Sequence, residues 1–165
     1  MSEWHDFFLA TAGAAAVLAG LVFVGVSINL EMIMASPIYG MAGRALEALV
    51  LLVAVLVVST LLLVPGQGMI LAGVEVLAVG IAVWAGIVAI QLQQRRNLRS
   101  LEPTLRRHFT ARVVLGQVAT LPIVAAGVGV LLWGVGGLYL LVAGVMLSML
   151  VAVEEAWVIL VEIHR

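Results

Sequence analysis

The chain has 165 residues, of which 64% are hydrophobic and 10% charged, and a formal net charge of -1. Soluble domains carry roughly 45 to 50% apolar and 25% charged residues, so a water-solvated fold of this composition is excluded. Cysteine is absent, and all basic side chains are arginine, which excludes disulfides, thiolate nucleophiles and lysine Schiff bases.

A hydrocarbon core about 30 Å thick takes roughly 20 apolar residues per helical crossing. The sequence offers five stretches of that length, so it predicts an all-α fold: a polytopic transmembrane helical bundle with five membrane-spanning helices, forming a single domain over residues 1–165. The first span runs from about Phe7 to Leu30, with Ser2 as a plausible N-cap and Glu3 and Asp6 in the favourable first turn. No Arg or Lys precedes it, so a retained helix is expected rather than a cleaved signal peptide. Gly13, Ala16, Gly20 and Ser27 share one face of this helix. Small faces let backbones approach closely in lipid, either inside the chain or between copies.

A connector holding Glu31, Ser36, Pro37, Gly40 and Arg44 leads to the second span, about Leu46 to Val64. Pro65-Gly66-Gln67-Gly68 is an uncharged turn. The third span covers about Met69 to Leu92, its helix running on into Gln93, Gln94, Arg95, Arg96 and Asn97. Glu75 lies about 9 Å along it. An acid at that depth costs a few kcal/mol, and intramembrane acids are functional by default. Ion or proton contact competes here with a structural hydrogen bond, and His5, the Met1 amine and water are the available partners. Glu75, Ala82, Gly86 and Gln93 form one face.

The basic loop, 93–112, contains Arg95, Arg96, Arg99, Arg106, Arg107 and Arg112, with Glu102 and Pro103 marking a helix restart. The fourth span is about Val113 to Trp133, where Pro122 predicts a kink that Gln117 and Thr120 help to satisfy. Gly134, Gly136 and Gly137 turn the chain into the fifth span, from Leu138 toward Ala156. That helix carries a stripe of Gly137, Gly144, Ser148, Glu155 and Glu162, grading from small to acidic. The stripe and the Glu75 face of span three are expected to meet or to line a shared cavity. Glu154 and Glu155 are expected to pair with Arg44 or Arg112, near Asn29, Glu31 and Glu47.

Orientation follows from the arginines, because short cytoplasmic loops carry the excess of basic residues. With the loop after span three inside, all eight arginines fall on the cytoplasmic side, the N-terminus lies outside and the C-terminus inside. Trp4, Trp133, Tyr139 and Trp157 fit interfacial aromatic belts.

The opening run of Trp4, Phe7, Phe8, Gly13, Ala14, Gly20, Leu21, Val22, Phe23, Val24, Ser27, Asn29 and Leu30 resembles the start of small uncharacterised multipass membrane proteins of bacteria. The resemblance implies a bacterial plasma (inner) membrane location. It carries no activity, substrate or site residue with it.

Catalysis finds few tools. His5, His108 and His164 are far apart in sequence, Asp6 is the single aspartate, and no His-Glu-x-x-His motif, nucleophile elbow or phosphate loop is present. No enzyme activity, cofactor or metal is expected. Six arginines without a folded basic domain do not make a nucleic-acid surface, though they suit membrane lipid.

The leading expectation is a homo-oligomeric, channel-like element for ion transport, in which symmetry multiplies one acid into a ring. Its candidate path residues are Glu75, Gln93, Ser148, Glu155, Ser27 and Asn29, and its packing face is Gly13, Ala16, Gly20, Gly137 and Gly144. The alternatives are a non-catalytic accessory or chaperone-like subunit docking another membrane protein, and a lipid or small-molecule binder or transporter.

Overall fold

In lipid every backbone amide must find its partner within the chain, which leaves long aliphatic runs no option but helix. The computed structural model describes residues 4–35, 41–97 and 103–162. In order these form α1 (His5–Ile28), a short α2 (Leu30–Ala35), α3 (Met41–Leu61), α4 (Met69–Asn97), α5 (Pro103–Trp133), a 3-10 turn (Gly134–Gly137) and α6 (Leu138–Glu162). Four stretches are long and apolar enough to cross a membrane: His5–Ile28, Met41–Leu61, Met69–Arg96 and Phe109–Val158. The last, 50 residues long, takes in most of α5, the turn and most of α6.

Neighbouring long helices run antiparallel. Thr11 of α1 meets Ser59 of α3 through a buried hydroxyl contact of 2.9 Å. Gly127 of α5 lies against Leu77 of α4, and Gly80 of α4 against Val124 of α5. Gly137 sits on the backbone of Gly129 and Val130, while Gly144 sits on Ile123, so α6 folds straight back along α5. In α4–α5 and α5–α6 small residues bring two backbones together, as membrane helices commonly do. Helix α3 is central, packing against α1, α4 and α6.

One end of the bundle therefore holds Trp4, the 65–68 turn and the 134–137 turn. Gly66 and Gly134 adopt left-handed φ values of 74° and 59°, which only glycine takes without strain. Trp4 packs there on Phe8 and edge-on to Tyr139, with ring centroids 6.1 and 5.0 Å apart. The other end holds the ends of α1, α4 and α6 and the starts of α3 and α5.

The interior is ordinary: Phe8, Val55, Val58, Val76, Ile123, Leu138, Leu141 and Val145 form one buried cluster, and Leu51, Leu52, Ile87 and Ala152 anchor another. The exterior is not. Leu21, Phe23, Ile70, Leu132 and Leu150 all stand exposed, which suits hydrocarbon rather than water as the solvent.

Three local expectations change. Helix α3 begins at Met41 rather than near Leu46, because its charged residues Arg44 and Glu47 are paired inside the bundle and need not wait in a loop. The N-cap of α1 is Trp4 and makes no side-chain cap; Ser2 lies outside the described residues. Helix α5 runs unbroken through Pro122, which cannot donate to the carbonyl one turn back. The carbonyl left without its usual donor is that of Val118; Thr120 donates to Gly116 O at 2.9 Å, while Gln117 turns to Gln91 and Trp84. The Ser148 hydroxyl of α6 donates to Ala119 O, in the turn preceding the proline, at 3.2 Å.

Candidate functional site

Where the first turns of α3 meet the ends of α4 and α6 and the lower part of α5, four ionisable side chains converge. Helix α3 supplies Arg44 and Glu47, α5 supplies Arg112 and α6 supplies Glu155. Arg112 Nη2 lies 2.6 Å from Glu47 Oε1, and Arg112 Nε 3.3 Å from Glu155 Oε1. Arg44 Nε lies 2.6 Å from Glu155 Oε2. The two contacts to Glu155 are close ion pairs that are not aligned as hydrogen bonds. Two guanidinium groups face two carboxylates, so the cluster is neutral as a whole. Both carboxylates are buried, and Arg112 keeps only 11% of its side chain exposed.

Amides extend the cluster along the α4–α5 contact. Gln94 accepts from Arg112 Nη1 at 2.9 Å and donates to Glu47 Oε1 at 3.4 Å. One turn further in, Gln91 accepts from Gln117 Nε2 at 3.1 Å, and Trp84 Nε1 donates to Gln117 Oε1 at 2.7 Å. Gln91 Nε2 reaches toward Glu47 without a well-formed hydrogen bond. The result is a polar file that runs from the buried charges to Trp84 at the bundle surface. Buried polar groups are tolerable in hydrocarbon only when partnered in this way.

No protein-family model, curated protein or solved structure matches this chain. The reading of the site therefore rests on its residues alone.

The sequence-predicted residues separate into two sets. Glu155 and Ser148 join the interior, and the stripe they share with Gly137 and Gly144 is buried against α5 and α3. Glu155 takes the partners expected of it, whereas Glu154 beside it is exposed. Ala82 and Gln93 face outward and Gly86 has open space beyond it. The expected meeting of the α4 and α6 faces therefore does not form, because α5 and α3 occupy the stripe. Ser27 and Asn29 bond only to their own helix, at Phe23 O and Gly25 O. Gly13, Ala16 and Gly20 lie exposed, and nothing stands within 4 Å of a Cβ at either glycine. Arg95 and Arg96 are exposed; Arg106 and Arg107 lie in the first two turns of α5, and Arg99 lies outside the described residues.

Glu75 is half-buried at the opposite end and accepts a hydrogen bond from Gln67 of the 65–68 turn, rather than from His5. Gln67 Oε1 is buried there without a partner. Among the described residues no group of His, Asp and Glu gathers in a way that would hold a metal ion.

Between these two polar ends, an apolar groove follows the seam of α3 and α4, lined by Leu49, Val50, Val53, Ala54, Val57, Val79 and Val83. Glu47, Val50, Ala54 and Val57 share one face of α3 by helical spacing, as Glu75, Val79 and Val83 share one of α4. The Gln67–Glu75 and Gln94–Glu47 contacts close the seam at its two ends. Glu75 and Gln94 are about 28 Å apart along α4, close to the thickness of a hydrocarbon core.

Sequence reading missed Gln91, Glu47's pairing with Arg112, and the role of Trp84. A signal was available for the amides: Gln91 and Gln94 stand three apart on one helix, which puts them on the same face.

Proposed function

We propose that this chain is a five-span protein of a bacterial inner membrane that acts as a channel-like, ion-permeation element, assembled from more than one copy. The four-residue turn at Gly134–Gly137 supports two crossings within the 50-residue stretch, since a single helix of that length would reach about 75 Å. The positive-inside rule supports an outer N-terminus and a cytoplasmic charge cluster. As a check, cysteine placed at Gln67 or Gly136 of this cysteine-free chain should react with an impermeant maleimide from outside intact cells, and cysteine at Gln93 should not. Labelling of Gln93 alone would reverse the arrangement.

The observation that carries the proposal is the bracketed seam. Carboxylates stand beyond both ends of an aliphatic groove that spans about 12 Å of α3, from Leu49 to Val57, and polar mouths flanking a hydrophobic constriction are a recurring way to build a gated path. The groove opens at the bundle surface, where Val53 and Val57 are exposed. A second copy is the natural cover, and it would bring a second Glu75 to the path; Glu47 is held by Arg112 within the monomer. Glu155 does not serve as a free ring residue in this reading, because Arg44 and Arg112 neutralise it within the monomer.

Purified protein in liposomes should conduct monovalent cations above protein-free controls, and Glu75→Gln should reduce that flux several-fold. Cysteines at Val53 should form crosslinks between copies. Absence of flux together with a monomer in nanodiscs would sink the proposal. The open face of Gly13, Ala16 and Gly20 favours the second reading, an accessory subunit whose α1 docks another membrane protein; a stoichiometric foreign partner after crosslinking, without self-association, would support that one.

A further inference from the structure

Glycine in the first turn of a helix calls for a reason, because it stabilises a helix less than any residue but proline. Gly43 of α3 has one. A Cβ built there would overlap Gln94 Nε2 and stand 2.6 Å from its Cδ. The carboxamide of Gln94 therefore rests on the α3 backbone at the spot where any other side chain would begin.

That amide joins three helices. Gln94 comes from α4, its oxygen accepts from Arg112 Nη1 of α5 at 2.9 Å, and its nitrogen donates to Glu47 Oε1 of α3 at 3.4 Å. It is buried, whereas its neighbour Gln93 is exposed, so burial is not the common fate of the polar end of α4. Glu47 lies one turn before Val50, which lines the aliphatic seam of α3 and α4. The amide thus sits across the Glu47 end of that seam.

Its attachment is also the lightest at this end. The bond to Glu47 is at the long limit of a hydrogen bond, and the Glu47–Arg112 ion pair, at 2.6 Å, closes without any help from Gln94. The amide can swing out and leave that pair intact, whereas moving Glu47 or Arg112 would unpair a buried charge.

We propose that the Gln94 carboxamide is a latch on the Glu47 end of the α3–α4 seam, with Gly43 as its seat, and that water enters the seam when the amide swings away. As the closed state of a conducting path the latch rests on the permeation reading; as a barrier to water it is measured without any flux.

The test places Val50→Cys in this cysteine-free chain and follows its reaction with a small charged methanethiosulfonate in nanodiscs, where both faces of the bilayer are open to the reagent. A thiol reacts as its thiolate, and apolar surroundings suppress that form, so the rate reports water in the seam. Added to this background, Gln94→Ala and Gly43→Ala should each raise the rate at least about tenfold, the effect of losing one hydrogen bond to a charged group. The pair G43A/Q94A should react no faster than Q94A, because the added methyl acts only through the amide it displaces. Gly116→Ala is the control. Its Cβ would press on Gln91 Nε2 at 2.5 Å, a similar disturbance on the α4–α5 contact, and the rate at residue 50 should stay native. An unchanged rate in Q94A would overturn the latch, as would additive effects in the pair or a G116A rate equal to that of G43A. The same variants in liposomes separate the two proposals. Faster labelling with no ion flux from any variant would keep the latch and remove the permeation reading, and flux that rises while labelling stays native would overturn the latch alone.

Discussion

Replacing Arg112 with methionine is expected to destabilise the bundle by about 3 to 5 kcal/mol, the range for breaking a buried ion pair from one side. Arg112 touches both carboxylates of the cluster and also donates to Gln94. Its loss leaves Glu47 and Glu155 buried opposite Arg44 alone, an unbalanced charge in a low-dielectric setting. The informative comparison removes all four charges at once, as R44M/E47M/R112M/E155M. Apolar replacement of a whole buried ion-pair set is often neutral or stabilising, so the quadruple variant should melt near or above the native protein. Thermal unfolding of both in one detergent decides the matter. A native-like melting temperature for R112M alone would mean that water reaches the cluster.

A comparable effect is expected at Gly137. A Cβ there would stand 2.1 Å from Val130 N and 2.2 Å from Gly129 C. Both are backbone atoms, which cannot rotate out of the way as a side chain can. Gly137→Val should therefore part α5 from α6 near the turn, at a cost at or above the upper end of the about 1 to 3 kcal/mol typical of overpacking. Gly13→Ala and Gly20→Ala give the contrast, since nothing lies within 4 Å of either added carbon. Each should stabilise the isolated chain by about 0.5 to 1 kcal/mol through the backbone. If they instead weaken self-association while the monomer melts as before, α1 is part of an interface between copies.

Much of the helical architecture was legible because it follows from two strong constraints. Apolar runs of span length must be helices, and glycine and proline clusters without charge must be turns, so the elements around Gly66, Pro103 and Gly134 fall close to where the residues place them. The pairing of Glu155 with Arg44 and Arg112 was legible too, since an acid near the end of an apolar helix needs a cation at the same depth; that Glu154 beside it stays exposed was not. What the sequence hid was direction around each helix axis. In a water-soluble helix, polarity marks the outer face; here both faces are apolar, and the hydrophobic pattern no longer says which one is buried. Ala82 and Gly86 on α4 and Gly13 and Gly20 on α1 looked like packing faces and turned outward. Gly144 on α6, chemically alike, turned inward onto Ile123. Glu47 was hidden for a different reason. The sequence places it at the level of the other charges, at the start of a span, but only the arrival of Arg112 from a distant segment identifies its partner.

The charge cluster also sets an order on biosynthesis. A nascent chain that has emerged as far as Gly137 already brings Arg44, Glu47 and Arg112 to one depth, two cations against one carboxylate. Neutrality arrives only with Glu155, on α6, which emerges after the helices that carry the other three charges. Until α6 inserts, the partly built protein carries an excess buried cation, which a membrane quality-control protease could recognise in any truncated product.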